Sequence, residues 1–177
     1  MDKEMTKDSK LLSYYLRHKP DEINCEIDKY GWVDVYQLCK NSKFTLSYLE
    51  AIVEQDTRYE FNRDKTKIRA FHGHSVKGIE PYIEFKPTMH LYHGTSTRFL
   101  PLIKESGEIK SMSRNYVHLS SDETKAKAIG SRHGKPVILV VDAVKASNDG
   151  IKFYDSGDDV ALSENIPYKY VVDEIEL

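Results

Sequence analysis

The feature that most constrains the fold of this sequence is a change of pattern about halfway along the chain. Gly78, Pro81 and Pro87 interrupt the regular spacing of apolar residues. Helical spacing is typical of the part before this interruption, and strand-like alternation is typical of the part after it. The 177 residues therefore predict an α+β protein of two lobes, residues 1–87 and residues 88–177.

The first lobe is predicted to contain three helices followed by a β-hairpin. An apolar stripe over residues 11–16 has helical spacing and ends before Pro20, which cannot continue a helix. Asp34 and Thr45 can each cap a following helix. Two β-type runs within residues 59–71 then flank a charged turn. This order of elements is that of a winged helix-turn-helix module.

The second lobe is predicted to be rich in strands. One helix covers residues 98–105 and stops at Gly107, and another follows a capping box formed by Ser120 and Glu123. The strand candidates are residues 91–93, 116–119, 137–142, 151–154, 160–162 and 169–175. Strands that outnumber helices without regular alternation favour an α+β unit over a βαβ array.

Composition excludes several classes of protein. Twelve Tyr, six Phe and one Trp supply the apolar surface that a disordered chain lacks. No apolar run approaches the ~20 residues of a transmembrane helix, and the charged start of the sequence is unlike a signal peptide. Cys25 and Cys39 form no C-x-x-C motif, so we expect reduced thiols and a cytoplasmic protein.

The net charge of -2 conceals an uneven distribution. Residues 58–77 hold six Lys and Arg against two acids, whereas residues 145–177 hold three Lys against eight acids. The basic segment coincides with the predicted hairpin. It is either a solvated hairpin or a surface that meets the backbone of a nucleic acid, and charge alone leaves both interpretations open.

Four basic residues are candidates for binding a phosphate. Arg17 and His18 end the first helix, where helical spacing predicts that Arg17 points away from the core. Arg69 alternates with apolar neighbours on a strand, and Arg132 lies in a basic loop. The planar arginine fork matches phosphate geometry, and histidine exchanges protons near neutral pH. Each residue also has an ordinary explanation, as a helix-end cation or a solvated side chain.

Histidines on strands form a second set of candidates. His93 precedes a Gly-Thr-Ser turn, in which glycine lets a ligand approach the backbone. His118 lies on a half-buried strand. His72 and His74 are spaced like a pair of metal ligands, but no third ligand lies nearby in the sequence, so we expect no metal. The sequence also lacks a Walker loop and the G-x-S-x-G and H-E-x-x-H motifs.

Six segments together resemble the RNA 2′-phosphotransferase family over nearly the whole chain. They are LLSYYLRHKP (11–20), GWVDV (31–35), IRA with GHS (68–75), LYHGTS (91–96), MSR with YVHLS (112–120) and RHGKPV (132–137). Each segment alone is weak evidence for the resemblance, but six segments in the same order and at compatible spacing are not expected by chance.

The resemblance implies a winged-helix RNA-binding lobe followed by an ADP-ribosyltransferase-like, NAD-binding lobe with a split β-sheet. It implies an enzyme that removes an internal RNA 2′-phosphate, such as the one left at a tRNA splice junction, and consumes NAD⁺ as a co-substrate. The phosphate attacks the nicotinamide ribose and expels nicotinamide, and the ribose 2-hydroxyl then attacks the phosphate. The products are 2′-hydroxyl RNA and ADP-ribose 1″,2″-cyclic phosphate.

The resemblance also assigns residues to these steps. The implied catalytic residues, whose arginines hold the 2′-phosphate, are Arg17, His18, Arg69 and Arg132. The implied NAD-binding residues are His93, Gly94, Thr95, His118, Ser120 and Val160. The stretch from Asp158 to Ala161 is only loosely like the family, and Phe71 and His72 depart from its pattern. No metal is implied.

Two alternative functions belong to other classes. One is an ADP-ribosyltransferase that modifies phosphorylated nucleic-acid ends and stops after the first step. The other is a non-catalytic winged-helix binder of nucleic acid, against which the retention of His93, His118 and Arg132 argues. For the main interpretation we expect a monomer that binds RNA and NAD⁺ and has no contact with a membrane.

Overall fold

The computed structural model describes residues 1–80, 83–157 and 159–176. The chain forms two compact units, Met1–Glu80 and Pro81–Leu177. Of the residues used above, Pro81 and Asp158 lie outside the described residues.

The division between the units falls before the predicted boundary at residue 87. The reason is a two-residue strand, Glu84–Phe85, which pairs with Tyr154 and Phe153 of the second unit. A strand this short has no readable alternation, and its partner is far away in the sequence. This pairing joins residues 84–85 to the second compact unit.

The first unit contains three helices and a three-stranded antiparallel sheet. The elements are α1 (Lys3–Arg17), β1 (Val33–Asp34), α2 (Val35–Asn41), α3 (Leu46–Gln55), β2 (Tyr59–Phe61) and β3 (Lys67–Ala70). The sheet has the order β1-β3-β2, so the predicted hairpin forms two of its strands. The predicted caps are confirmed, because the side chains of Asp34 and Thr45 accept hydrogen bonds from the backbone of Gln37 and Tyr48.

Fully buried aliphatic side chains of all three helices and the sheet form the core of the first unit. They include Leu12, Leu16, Leu38, Leu49, Ile52 and Ile68. Each such burial contributes roughly 1.5–3 kcal/mol. A polar contact adds to this core, because the Tyr59 hydroxyl on β2 donates a 2.5 Å hydrogen bond to the Ser9 carbonyl on α1. Helix α1 also packs against β3, which determines where the end of α1 lies.

The second unit combines a seven-stranded and a two-stranded antiparallel sheet with three helices in its described residues. Its elements are β4 (Glu84–Phe85), β5 (Leu91–Ser96), α4 (Leu100–Ser106), β6 (Glu108–Ile109), β7 (Val117–Ser120), α5 (Glu123–Gly130), β8 (Pro136–Val141), α6 (Ala143–Asn148), β9 (Phe153–Asp155), β10 (Val160–Ser163), β11 (Ile166–Pro167) and β12 (Val171–Glu176). The larger sheet has the order β12-β8-β5-β7-β10-β9-β4, and the smaller one pairs β11 with β6. Mixed helix and antiparallel sheet content agrees with the predicted α+β class.

The centre of the larger sheet is weakly joined. Strand β5 pairs with β8 from Leu91 to Ser96, but it pairs with β7 only through Tyr92 and Ser120. Beyond Tyr92 the two strands separate. The residue that follows, His93, is therefore where the sheet opens.

Two glycines let α5 lie directly against β5. A Cβ atom at Gly94 would overlap the carbonyl oxygen of Ala126, and one at Gly130 would overlap that of Thr95. The helix is capped by Asp122, whose carboxylate accepts from the backbone N–H groups of the two residues after Glu123. The predicted capping box at Ser120 is wrong, because a capping carboxylate lies two residues closer to the helix.

None of the helices in the described part of the chain has the length and apolar character that a membrane span requires.

We expect Gly94→Ala to destabilise the second unit by at least ~1–3 kcal/mol, because the added methyl group overpacks a backbone contact. Gly107→Ala is the matched control. Gly107 has a φ of 72° with nothing within 4 Å of an added Cβ, so this variant adds backbone strain without overlap. Urea denaturation followed by circular dichroism measures the free energy of unfolding of both variants. A Gly94→Ala variant as stable as Gly107→Ala would contradict the packing explanation.

Candidate active site

Arg17 and His18 lie together at the C-terminal end of α1. His18 is the C-cap residue, and its backbone N–H donates to the carbonyl of Tyr14 at 3.0 Å. The helix carbonyls concentrate negative potential here, which favours cations. Arg17 is only 8% exposed, so its side chain is covered at this end of the helix. The packing of α1 against β3 buries this position.

A loop after β3 is attached to the same helix end. The backbone N–H of Ser75 donates to the Arg17 carbonyl at 2.9 Å, and the Ser75 hydroxyl lies 2.8 Å from Nδ1 of His18. A hydroxyl can donate or accept, so this contact fixes the ring orientation in either tautomer. Ser75 was not a predicted site residue, although its Gly-His-Ser segment was part of the family resemblance.

Arg69 is buried on β3, with 5% of its surface exposed. It lies directly opposite Glu60 on β2, and its Nε donates to Oε1 of that residue at 2.6 Å. Its Nη1 donates to the carbonyl of Tyr30 at 3.2 Å, and its guanidinium carbon is 4.3 Å from the centre of the Trp32 ring. The alternative of a solvated strand arginine is therefore wrong for this residue.

His72 and His74 follow β3 but form no site of their own. His74 is buried against Gly31, where an added Cβ would lie 3.0 Å from the His74 Nε2. His72 is half-buried. Across residues 1–80, 83–157 and 159–176, no group of three His, Cys, Asp or Glu side chains is arranged to hold a metal ion.

His93 and His118 carry defined hydrogen bonds at the opening of the larger sheet. Nδ1 of His93 lies 3.0 Å from the carbonyl of His118, and Nδ1 of His118 lies 3.0 Å from the carbonyl of Tyr116. A carbonyl oxygen only accepts, so each Nδ1 carries a proton, and each Nε2 of a neutral ring is then an acceptor. Burial lowers the pKa of His93 and outweighs the hydrogen bond that raises it.

Ser120 and Val160 lie opposite each other on β7 and β10, so their side chains share one face of the sheet. The Ser120 hydroxyl accepts from the backbone N–H of Asp122 at 3.0 Å and thereby forms the turn into α5. Val160 lines a cavity of about 320 Å³ together with Ser121 and Ala161. Among the described residues that line this cavity, Val160 alone was predicted to bind NAD.

Gly94 and Thr95 have packing roles that need no ligand. Gly94 faces the backbone of α5, and Thr95 is buried with its carbonyl against Gly130. The sequence interpretation treated both as dinucleotide contacts. In the structure Gly94 and Gly130 let α5 lie close to β5, and the dinucleotide contacts of Gly94 and Thr95 stay a prediction.

Arg132 lies exposed in the single 3₁₀ turn Ser131–His133 that follows α5. The loop is attached to the end of β5, because the backbone N–H of Thr97 donates to the Lys135 carbonyl at 2.9 Å. Arg114 is a further arginine of this unit that was not a predicted site residue. It is half-buried, and burial lowers its pKa.

Within each unit, the predicted residues therefore form a group of distinct chemistry. The first unit brings Arg17 and His18 together and packs their helix against the strand of Arg69. The second unit brings His93 and His118 together and presents Arg132 on its surface. The first group consists of basic residues at a helix end and on a strand, and the second consists of two hydrogen-bonded histidines and an exposed arginine.

Comparison with known proteins places this arrangement in a family. The profile described as "RNA 2'-phosphotransferase, Tpt1 / KptA family" matches residues 3–165. This chain belongs to that family. The family consists of transferases, so both the predicted family and the prediction of an enzyme are confirmed.

Bacterial relatives match this member of the RNA 2′-phosphotransferase family over nearly its whole length. A Flavobacterium johnsoniae protein is 41% identical, over 92% of this chain and 93% of its own. A protein of Escherichia coli strain 536 is 39% identical over 96% of each chain. One from Pectobacterium atrosepticum is 40% identical, over 97% of this chain and 99% of its own. All three are named "Probable RNA 2'-phosphotransferase".

We expect the His93 imidazole to titrate below the ordinary histidine value of 6.5, because burial disfavours its charged form. The unfolded chain then takes up this proton first as the pH falls. The stability contributed by neutral His93 is therefore complete above pH ~6.5 and declines below it. A titration of the imidazole ¹⁵N resonances measures this pKa. A value at or above 6.5 would contradict the expectation that burial lowers the pKa of His93.

Proposed function

We propose that this protein removes internal 2′-phosphates from RNA with NAD⁺ as a co-substrate, acting as a cytoplasmic monomer. In the first step a phosphate oxygen bonds to the anomeric carbon of the nicotinamide ribose, and nicotinamide leaves with the electron pair of the broken bond. In the second, the ribose 2″-hydroxyl attacks phosphorus and the RNA 2′-oxygen leaves and takes up a proton. The products are 2′-hydroxyl RNA and ADP-ribose 1″,2″-cyclic phosphate.

The observation that carries the proposal is the group of cations in the first unit of a chain from this family. Arg17 and His18 end a helix that packs against the strand of Arg69. Arginines fixed in this way bind a phosphate without first losing side-chain freedom, and they stabilise charge that develops on it. His18, whose ring is oriented by Ser75, is suited to transfer a proton in the second step.

We interpret the first unit as a winged-helix RNA lobe, because three helices precede the β2–β3 hairpin. The hairpin exposes Lys65, paired with Glu50 at 2.5 Å, and Lys67, paired with Asp28 at 3.4 Å. Exposed ion pairs of this kind contribute only ~0–1 kcal/mol. Lys65 and Lys67 therefore lose little free energy when they leave Glu50 and Asp28 to contact RNA phosphates.

We interpret the second unit as an ADP-ribosyltransferase-like lobe. The sheet that opens after Tyr92 supports the predicted split. Burial favours the neutral form of His93 there, and its Nε2 is then an acceptor that suits the hydroxyl groups of a ribose. Val160 would complete the His-His-hydrophobic pattern of the resemblance, with Ser120 opposite it. We propose that Arg132 acts on the transferred phosphate.

The decisive test is incubation of the protein with NAD⁺ and an oligoribonucleotide that carries one internal 2′-phosphate. We expect the phosphate to be lost only when NAD⁺ is present, with nicotinamide and ADP-ribose cyclic phosphate released in equal amounts. Mass spectrometry identifies the products. A stable ADP-ribosyl adduct would indicate the alternative transferase, and RNA binding without turnover would indicate the non-catalytic binder.

Arg132→Ala is expected to slow the complete reaction by about 100-fold or more, because it removes a charge that stabilises the transition state. Lys135→Ala is the matched control, since it removes an exposed cation from the same loop. Single-turnover assays follow the adduct and the final product separately. Wild-type rates in the Arg132 variant would remove its proposed role.

Replacing both Lys65 and Lys67 by Ala is expected to weaken RNA binding and to flatten its salt dependence, by about one unit of slope for each RNA phosphate that a lysine no longer neutralises. The control is Lys145→Ala, which removes a cation from α6 in the second unit. Fluorescence anisotropy at several salt concentrations measures the slope. An unchanged affinity at low salt would show that the hairpin does not bind RNA.

A further inference from the structure

We propose that Glu60 is a positioning residue that holds Arg69 in the orientation needed to bind the RNA 2′-phosphate. This inference rests on the proposed function of Arg69. Glu60 lies directly opposite Arg69 across the β2–β3 hairpin. Its Oε1 accepts a 2.6 Å hydrogen bond from the Nε of Arg69 and also contacts Nη2 of the same guanidinium.

Two further contacts of the guanidinium involve Tyr30 and Trp32. Nη1 donates to the carbonyl of Tyr30 at 3.2 Å, and the Trp32 ring lies against its face at 4.3 Å. Asp28 orders the backbone of both residues, because its Oδ1 accepts from the N–H of Tyr30 at 2.9 Å and from that of Trp32 at 3.0 Å. The guanidinium is thus held by Glu60 at Nε, by the Tyr30 carbonyl at Nη1 and by the Trp32 ring on its face.

Among these neighbours only Glu60 carries a charge, and its effect has two components. As an acceptor it fixes the guanidinium, so less rotamer freedom is lost when Arg69 binds a phosphate. As an anion it offsets the cost of burying a cation that is 6% exposed. The same negative charge repels a phosphate that binds the guanidinium, because Glu60 contacts that guanidinium directly and like charges repel at short distance.

These two components can be separated by substitution. Glu60→Gln keeps an oxygen that can accept from Nε but removes the charge, so the orientation of Arg69 is retained and repulsion of the phosphate is removed. Glu60→Ala removes both. A merely structural role of Glu60 would lower stability in both variants and leave the turnover of the folded molecules unchanged.

The test compares kcat and KM for the 2′-phosphorylated oligonucleotide at saturating NAD⁺. We expect Glu60→Ala to lower kcat by about 100-fold, the loss typical of a misplaced binding group, and Glu60→Gln to retain kcat and lower KM. Asp56→Asn is the matched control, because Asp56 is the carboxylate partner of another arginine of this unit, Arg58. It should leave kcat unchanged. Wild-type kcat in Glu60→Ala, after correction for the folded fraction, would overturn the inference.

A second measurement does not depend on activity. The Nε–Hε group of Arg69, assigned by its absence in Arg69→Lys, should give a slowly exchanging ¹H–¹⁵N signal. We expect this signal to disappear in Glu60→Ala and to persist in Glu60→Gln. An inactive wild type that shows this pattern would refute the proposed function but support the positioning of Arg69. Persistence of the signal in Glu60→Ala would refute the positioning itself.

Discussion

Burying a guanidinium is costly unless acceptors and anions surround it, and the first unit pairs two arginines in this way, the half-buried Arg58 and the buried Arg69. Arg58 donates to Asp56 at 2.6 Å and to the Ser9 hydroxyl at 2.6 Å, which links β2 to α1. Arg69 contacts Glu60 across the hairpin. The contact between Arg69 and Glu60 requires the observed register, because a slip of one residue would turn Glu60 to the opposite face of the sheet.

The second unit is organised around close backbone contact rather than buried charge. Gly94 and Gly130 allow α5 to lie against β5, and α5 leads directly into the turn that carries Arg132. On the other side of β5 the sheet opens, and His93 lies there with its pKa lowered by burial. The two units therefore hold their candidate residues in different ways, a carboxylate-paired arginine in one and hydrogen-bonded histidines in the other.

Much of the local structure was predictable because its causes are local. The caps at Asp34 and Thr45 are hydrogen bonds that span three residues, and the hairpin is signalled by its turn. The short strand at Glu84–Phe85 was missed because its partner, β9, is about 70 residues away. Helix α6 was missed because it directly follows the apolar strand β8, whose pattern dominates that segment.

The sequence by itself determined the family, the order of the elements in the first unit and most of the charged candidates, because motifs and caps depend on residues close together in the chain. Only the tertiary structure decided what those candidates touch. His18 meets Ser75 across 57 positions, His93 meets the carbonyl of His118 across 25, and Arg69 meets Glu60 across 9. Such partners are brought together by strand register and helix packing, and these depend on the complete core rather than on any one segment.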